Sequence, residues 1–262
     1  TSKGLMRFLI KNTDRITSFC ATKIVCASHS VLNVSIRDRL APVSKQCVIL
    51  KGTCSGVDTQ IKFNPSNICD ESLKSIREKY KISKEDFVIG FTGRLVKDKG
   101  IEELVNAFKQ LEGESKIKLL LVGVFEERDA ISDEIKEYII QSENVIYTGF
   151  INDNIQLFYA LMDVYVLPSY REGMPLVLLE AKSNRLPIVS FDILTGPKEI
   201  VRDNVDGILV KPYDIDEMSN AICTLIENDE KRMAFSVASQ ENLEKFSKAT
   251  ILEKWKNLIE AI

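Results

Sequence analysis

The sequence predicts an α/β fold, a doubly wound parallel sheet with helices on both faces. From about residue 86, short apolar runs alternate with amphipathic stretches about six times. Each run is bounded by Gly, Pro, Asn or Asp and is apolar nearly throughout, as expected of strands buried on both faces of a parallel sheet. The stretches between them place apolar residues at i, i+3, i+4 and i+7, as Ile101–Phe108 does, which predicts helices. Repeated alternation of this kind is typical of doubly wound domains.

The predicted elements begin with a smaller unit at the head of the chain. Two strands there, Ile24–Ala27 and Cys47–Leu50, enclose a helix at Val31–Leu40. Glycines and a proline then mark a linker over roughly residues 52–70. The strands of the main sheet are predicted at Phe87–Thr92, Ile117–Val122, Asn144–Thr148, Val164–Leu167, Pro187–Phe191 and Gly207–Val210. The tail from Ile215 to Ile262 has a helical pattern almost throughout.

Composition narrows the class of protein. The 262 residues suffice for one large domain or two, and 45% hydrophobic with 28% charged residues is typical of a soluble globular protein. A net charge of −3 gives no general attraction to nucleic acid or anionic lipid. Six cysteines without a C-x-x-C pair, and a single histidine, favour reduced cytoplasmic thiols over a zinc site. No apolar run approaches the ~18 residues of a membrane span.

The segment Thr1–Cys20 predicts a basic amphipathic helix. Arg7, Lys11 and Arg15 recur at i, i+4 and i+8, with leucine and phenylalanine side chains between them. Two interpretations stay open: the solvated face of an ordinary domain helix, or a contact with a membrane surface or an anionic acceptor.

The first candidate site follows the first strand of the main sheet, because doubly wound sheets bind ligands beyond the carboxyl ends of their strands. Gly93 lets the backbone approach a ligand closely, and the helix after Gly100 offers unpaired N–H groups to an anion. Arg94 supplies a planar fork of donors and Lys99 a mobile point charge, both suited to phosphate oxygens. The pattern predicts a phosphate site, with solvated loop charges as the alternative.

The second candidate site follows the fourth strand. Pro175 suits the first position of a helix, whose free N–H groups would form a second anion site. Glu172 lies just before this helix and Glu180 inside it, and carboxylates accept hydrogen bonds from sugar hydroxyls. Helix capping is the alternative, and it explains Glu172 better than Glu180, which follows four apolar residues. Phosphate donors opposite hydroxyl acceptors indicate a sugar nucleotide.

These residues carry a resemblance to a known family. Glu172 and Glu180, with seven residues between them, resemble the E-x7-E motif of retaining glycosyltransferases of family 4, which have the GT-B fold. Other matching segments occur in the same order: Gly93-Arg94-Leu95, Lys99-Gly100, Leu121-Val122-Gly123, Tyr147-Thr148-Gly149-Phe150, and Gly207 with Leu209-Val210. The resemblance covers roughly residues 47–262. It implies a hexosyltransferase that uses a nucleotide-diphosphate sugar, UDP-sugar above all, with no obligatory metal and no other cofactor.

The resemblance also implies roles for the motif residues. Arg94 and Lys99 would act catalytically by binding the donor diphosphate and stabilising the departing nucleotide, and Glu172 by contacting the donor sugar. Glu180 would accept hydrogen bonds from the ribose hydroxyls. The further nucleotide-sugar-binding residues would be Gly93, Gly173, Met174, Pro175 and Leu176 around the phosphates and sugar, and Phe150 and Ile151 near the base.

A domain organisation follows from the same resemblance. Residues 1–60 would be the end of an N-terminal acceptor domain with the linker, 61–246 the nucleotide-sugar-binding domain, and 247–262 a helix that returns to the first domain. The chain starts with Thr1 in mid-pattern, so we expect it to be truncated and inactive alone. Similarity of the head and of Thr195–Ile200 to bacterial surface-polysaccharide enzymes favours a glycan or polyprenyl-linked acceptor. We expect a cytoplasmic protein, peripheral at the inner membrane face.

Two departures from the family pattern and three alternatives accompany this interpretation. Most of the first domain, which in the family supplies the acceptor pocket, is expected to be missing. Arg185 stands where the family usually has glycine at a helix end, so Asn184 is expected to take the left-handed position. The first alternative is a dinucleotide-binding oxidoreductase, but the sequence does not contain the glycine fingerprint of that class. A non-catalytic nucleotide-sugar-binding module, or a hydrolase or epimerase with the same donor site, would share the motif residues. Activity with and without an acceptor separates these from transfer.

Overall fold

The computed structural model describes residues 4–52, 55–111 and 116–262, so residues 1–3 of the predicted first helix and 53–54 of the predicted linker lie outside the described residues. The strands are β1 (Ile24–Cys26), β2 (Gln46–Val48), β3 (Phe87–Thr92), β4 (Ile117–Val122), β5 (Val145–Tyr147), β6 (Val164–Leu167), β7 (Ile188–Phe191) and β8 (Gly207–Val210). β1 and β2 pair in parallel as a small sheet of their own. The other six form one parallel sheet in the order β5-β4-β3-β6-β7-β8, which confirms the predicted fold class.

Helices connect these strands and form the tail. They are α1 (Leu5–Cys20), α2 (His29–Arg37), α3 (Asp70–Tyr80), α4 (Ile101–Leu111), α5 (Asp133–Gln141), α6 (Ile155–Tyr159), α7 (Leu176–Ser183), α8 (Pro197–Ile200), α9 (Ile215–Glu227), α10 (Asp229–Ala238) and α11 (Lys248–Glu260). The chain runs outward from β3 to β5, returns at β6 to the other side of β3, and continues to β8. The direction therefore reverses between β3 and β6, where doubly wound sheets bind ligands.

Burial explains why these segments form strands and helices. β3 is buried from Val88 to Thr92, and it pairs with β4 along its whole length, so Thr92 lies beside Val122 at the carboxyl edge. α4 buries one face, with Ile101 and Phe108 both fully inaccessible, as the apolar spacing predicts. The buried apolar core thus fixes the carboxyl ends of β3 and β4 side by side at one edge of the sheet.

Several boundaries in the head differ from the prediction by one to three residues, and two of them have a clear local cause. α2 begins at His29, earlier than predicted, because the Ser28 hydroxyl accepts a hydrogen bond from Val31 N at 3.2 Å and caps the helix. β2 ends at Val48 and not at Leu50, because Leu50 turns into the left-handed region with φ 52°.

The ends of α7 also differ from the prediction. Pro175 precedes the helix as its N-cap residue and is not its first helical residue. The expectation that Asn184 takes the left-handed position is wrong, because Asn184 has φ −87° whereas Arg185 has φ 61°. Asn184 Nδ2 donates to the carbonyl oxygen of Glu180 at 2.9 Å, which keeps Asn184 on the helix and moves the turn to Arg185.

A buried ion pair joins α7 to the loop before β8. Lys182 Nζ lies 2.8 Å from Asp206 Oδ2 and donates to the carbonyl oxygen of Ile200 at 3.0 Å. Asp206 is fully buried and Lys182 is 4% exposed. Arg202 Nε also donates to Asp206 Oδ2, at 2.6 Å. Burial lowers the pKa of Lys182, and the adjacent Asp206 carboxylate opposes that effect.

α1 turns basic residues toward the protein and apolar residues outward. Lys11 Nζ lies 2.9 Å and Arg7 Nη2 3.7 Å from Asp38 Oδ2, whereas Leu5 and Phe8 are 74% and 62% exposed. A membrane or acceptor contact of this helix stays a prediction, as do the predicted domain boundaries. Within the described ranges, no helix has the length and apolar character that crossing a bilayer requires.

Candidate functional site

A cavity of about 400 Å³ opens at the carboxyl edge of the sheet. The predicted residues Gly93, Arg94, Phe150, Ile151 and Glu180 all line it. They come from the loops after β3 and β5 and from α7, so the parallel topology assembles positions that are far apart in the sequence. A larger open groove, about 730 Å³, lies along α4 and the start of α9, but none of the predicted site residues lines it.

Glycines bring the loops of this cavity into direct backbone contact. Gly93 N donates to the carbonyl oxygen of Val122 at 2.9 Å, and Gly123 N donates to that of Gly149 at 3.0 Å. A Cβ atom added at Gly123, where φ is 151°, would lie only 1.8 Å from the Gly93 carbonyl oxygen. A side chain at Gly123 would therefore push the Gly93 loop out of place.

Arg94 stands at the rim of the cavity. Its Nη1 lies 3.0 Å from Glu126 Oε2, and about half of the Arg94 side chain is exposed. Because this ion pair is exposed, it contributes little to stability and leaves the guanidinium available to an anion. Arg94 is thus a solvent-facing fork of donors beside the glycine loop.

Lys99 and Glu172 form a close ion pair, and neither of them lines the cavity. Lys99 Nζ lies 2.5 Å from Glu172 Oε1, with side-chain exposures of 20% and 12%. Gly100 makes this approach possible, because an added Cβ there would lie 2.0 Å from the carbonyl oxygen of Pro168. The loops after β3 and β6 therefore pack backbone to backbone, and the structure brings together two of the predicted catalytic residues.

The turn that carries Glu172 is packed between two other segments. Thr195 Oγ1 donates to the Glu172 carbonyl oxygen at 2.5 Å, and Gly196 lies so close that an added Cβ would meet Glu172 Cβ at 2.9 Å. On the other side, an added Cβ at Gly173 would lie 4.0 Å from Ala27 of the head. Gly173, Met174, Pro175 and Leu176 therefore form a supporting turn and do not line the cavity itself.

Glu199 connects the segment beside the Glu172 turn to α2 in the head of the chain through hydrogen bonds. Its Oε2 accepts a hydrogen bond from His29 N at 2.9 Å, and its Oε1 accepts from Ser30 N at 2.8 Å and from the Ser30 hydroxyl. The carboxylate thus satisfies amides at the N-terminus of α2, the positive end of the helix dipole. Burial raises the pKa of Glu199, but hydrogen bonds from Ser30 and His29 outweigh this and hold the pKa below its ordinary value.

Glu180 lies inside α7 and lines the cavity. Tyr159 donates its hydroxyl proton to Glu180 Oε2 over 2.7 Å. Burial raises the pKa of Glu180, whereas the Tyr159 hydrogen bond and the positive charge of Lys62 act in the opposite direction. Glu180 is thus a half-buried carboxylate with one oxygen already engaged.

Sequence reasoning missed Tyr159, Thr92 and Glu199. Tyr159 occurs in an apolar run and Thr92 at the end of a strand, so neither has a pattern that marks a polar role. Glu199 was included only in a segment similar to the family. No cluster of three or more metal-ligating His, Cys, Asp or Glu side chains occurs among the residues that the structure describes.

Two relatives of this chain are named for polysaccharide biosynthesis. The capsular polysaccharide biosynthesis glycosyltransferase CapM of Staphylococcus aureus is 31% identical over 261 residues, which is 98% of this chain and 66% of CapM. The amylovoran biosynthesis glycosyltransferase AmsD of Erwinia amylovora is 33% identical over 172 residues, 64% of this chain and 46% of AmsD. The chain therefore spans 66% of one relative's length and under half of the other's.

Solved structures and a family model complete the comparison. Anabaena Alr3699/HepE in complex with UDP-glucose matches with a TM-score of 0.83 at 21% identity, covering 98% of this chain and 70% of HepE. WaaG, a glycosyltransferase involved in lipopolysaccharide biosynthesis, matches with a TM-score of 0.76 at 17% identity, with the same two shares, 98% and 70%. These likenesses show a GT-B fold. The family model for Glycosyl transferases group 1 matches residues 73–242, well over half of the sequence, so the chain belongs to the group 1 glycosyltransferases.

Proposed function

We propose that this chain supplies the donor site of a retaining glycosyltransferase of family 4. The enzyme would transfer a hexose or N-acetylhexosamine from a nucleotide-diphosphate sugar, UDP-sugar foremost, to a glycan or polyprenyl-linked acceptor in surface polysaccharide biosynthesis. The observation that carries the proposal is one cavity, at the point where the strand order reverses, lined by both Arg94 and Glu180.

The cavity suits the parts of a nucleoside diphosphate. The diphosphate would lie at Gly93 and Arg94, near the N-terminus of α4, where a guanidinium and backbone amides favour negative charge. The ribose would meet Glu180, whose carboxylate accepts hydroxyl protons. The base would lie near Phe150 and Ile151, against an otherwise apolar wall.

Lys99 and Glu172 would act when the donor binds. The diphosphate would compete with Glu172 for Lys99, because an ammonium interacts more strongly with a dianion. Glu172 would then be released to accept hydrogen bonds from the donor sugar. In the transfer step, the bond from the sugar's anomeric carbon to the diphosphate oxygen breaks and a bond to the acceptor oxygen forms. A nucleoside diphosphate and the acceptor's proton are released, and Arg94 and Lys99 stabilise the departing charge.

The comparisons support the proposed pathway. CapM and AmsD are biosynthetic glycosyltransferases of bacterial polysaccharides, and HepE binds UDP-glucose in the matched structure. We further propose that no metal is required, since Arg94, Lys99 and the α4 N-terminus provide the positive charge. Peripheral attachment to the inner membrane face, and inactivity of this chain alone, are part of the same proposal.

Titration calorimetry of UDP, GDP and UDP-hexoses against this chain tests the donor site. We expect UDP to bind and Glu180→Ala to weaken binding about tenfold, the effect of losing a hydrogen bond to a charged group. Lys256→Ala, a change in an exposed residue of α11, is the matched control. A folded chain that binds no nucleoside diphosphate would contradict a donor site formed by these residues alone.

Turnover in the complete enzyme tests the catalytic assignments. Lys99→Ala and Glu172→Ala are each expected to reduce turnover by roughly 10²-fold or more, as losses of electrostatic stabilisation do. Wild-type turnover in either variant would show that the assignment of that residue is wrong. Product formation that needs no acceptor would favour a hydrolase over a transferase.

A further inference from the structure

A chain of three buried hydroxyls ends at Glu180. Tyr165 Oη lies 2.8 Å from Thr92 Oγ1, Thr92 Oγ1 lies 2.7 Å from Tyr159 Oη, and Tyr159 Oη lies 2.7 Å from Glu180 Oε2. Both tyrosines are fully inaccessible to solvent, and Thr92 is 6% exposed. Thr92 directly precedes Gly93 and Arg94, so the chain joins the loop proposed for the phosphates to the carboxylate proposed for the ribose.

An ionised Glu180 fixes the direction of the two hydrogen bonds nearest to it in this chain. A carboxylate only accepts, so the single proton of Tyr159 goes to Glu180. Thr92 Oγ1 must then donate to Tyr159, so its short contact with Tyr165 has the Tyr165 hydroxyl as donor. The Tyr165 hydroxyl also lies 3.2 Å from the carbonyl oxygen of Thr92, so its single proton has two acceptors on the same residue. The Tyr165 oxygen in turn accepts from Thr92 N at 3.3 Å. The hydroxyl protons of Thr92 and Tyr159 are therefore directed toward Glu180, and that of Tyr165 is directed toward Thr92.

We propose that Tyr159 is a positioning residue for nucleoside recognition, which holds Glu180 Oε2 so that Oε1 is presented to a ribose hydroxyl. This inference rests on the proposed donor site. Tyr159 does not touch the nucleotide in the proposal; it acts through Glu180. It makes the site selective for a ribose that carries its hydroxyls.

Packing keeps the Tyr159 ring in place independently of its hydroxyl. The ring contacts Phe63 edge-to-face at a centroid distance of 5.7 Å and stacks with Tyr165, also at 5.7 Å. Tyr159→Phe should therefore keep the ring and remove only the donor. Burial is the main cause that raises the Tyr159 pKa well above its usual range, so the phenol stays protonated and remains a donor.

The affinities for two ligands separate an effect of Tyr159 on the position of Glu180 from a general loss of structure. UDP and 2′,3′-dideoxy-UDP differ only in the ribose hydroxyls, so an effect transmitted through Glu180 should appear with UDP alone. We expect Tyr159→Phe to weaken UDP binding about tenfold, the size typical of a hydrogen bond to a charged group, and to leave the dideoxy ligand within about twofold. Tyr165→Phe, at the far end of the chain, is the matched control and should change UDP binding by less than about threefold. Thr92→Val, which removes the donor to Tyr159, should act in the same direction as Tyr159→Phe.

If Tyr159→Phe weakens the binding of both ligands equally, the inference is overturned, because that result indicates a loss of structure. Unchanged UDP binding in Tyr159→Phe would overturn it as well. If the wild-type chain binds no nucleoside diphosphate, the proposed function fails, and a second measurement then decides the inference. NMR titration of the Glu180 carboxyl carbon needs no ligand. Besides Tyr159, the groups that act on this carboxyl are Lys62 and the burial of its surroundings, which Tyr159→Phe retains. A higher Glu180 pKa in Tyr159→Phe supports the inference, and an unchanged pKa overturns it.

Discussion

Removing the ammonium of Lys182 should destabilise the fold more than any exposed charge change. Lys182→Met keeps an unbranched side chain of similar size, so packing in α7 is retained while the partner of Asp206 is lost. Asp206 is completely buried, and a buried carboxylate without its cation is costly.

The structure sets the expected size of the loss. Breaking a buried ion pair typically costs about 3–5 kcal/mol. Arg202 Nε remains 2.6 Å from Asp206 Oδ2 and compensates in part, so we expect about 3 kcal/mol, the lower end of that range. This is a large share of a typical stability of about 5–15 kcal/mol.

Urea unfolding followed by circular dichroism measures this loss. With a denaturant slope of about 3 kcal/mol per molar, the midpoint should fall by about 1 M. Lys256→Met, in an exposed pair with Glu260 at 3.9 Å, is the control and should change stability by less than about 0.5 kcal/mol. Adding Asp206→Asn to Lys182→Met should recover part of the loss. If Lys182→Met unfolds at the same urea concentration as the control, the ion pair does not anchor α7.

Three further changes test other parts of the site. Gly123→Ala, whose Cβ would lie 1.8 Å from the Gly93 carbonyl oxygen, should lower both the melting temperature and the affinity for UDP. Gly149→Ala is the control: it has open space around it and φ +70°, so it should cost only the roughly 1–2 kcal/mol of left-handed strain. Equal effects of the two substitutions would refute the contact between Gly123 and Gly93. Burial raises the pKa of Glu180, so UDP affinity should fall as the pH decreases through that raised pKa, and Glu180→Gln should lose this component in calorimetry. Glu199→Ala should cost about 1 kcal/mol at neutral pH through loss of a helix cap. Because the Glu199 pKa is lowered, the difference from wild type should be complete above the ordinary carboxyl pKa. It should shrink as the pH falls below that value and be lost once the pH passes the lowered pKa of the folded protein; a constant difference in urea titrations would contradict this.

The main sheet was predictable because its strands are buried on both faces. Val164–Leu167 and Gly207–Val210 match the predicted bounds, since four apolar or glycine positions between turn residues leave little choice. The head was less predictable. There, one hydroxyl cap at Ser28 and one left-handed residue, Leu50, move the boundaries, and neither effect shows in a hydrophobic pattern.

The candidate site was predictable where topology alone places residues. Arg94 and Glu180 line one cavity because both follow or face the carboxyl edge of a parallel sheet. Tyr159 was missed because its hydroxyl acquires a role only through the partner that the helix packing gives it, 21 residues away in sequence. Glu199 was missed because its partner amide on His29 is 170 residues away.

The Glu199 contact has a mechanical consequence for any movement of the head relative to the main sheet. Glu199 follows closely after Thr195, which donates a hydrogen bond to Glu172. The two carboxylate oxygens of Glu199 accept hydrogen bonds from the first two amides of α2. A rotation of the head relative to the main sheet must either pivot about this point or break these hydrogen bonds together. In the first case the opening and closing of a cleft would leave the Glu172 turn almost stationary, at the axis of the motion. Amide exchange at His29 and Ser30 distinguishes the two, because a pivot keeps both protons protected during the movement and a break exposes them.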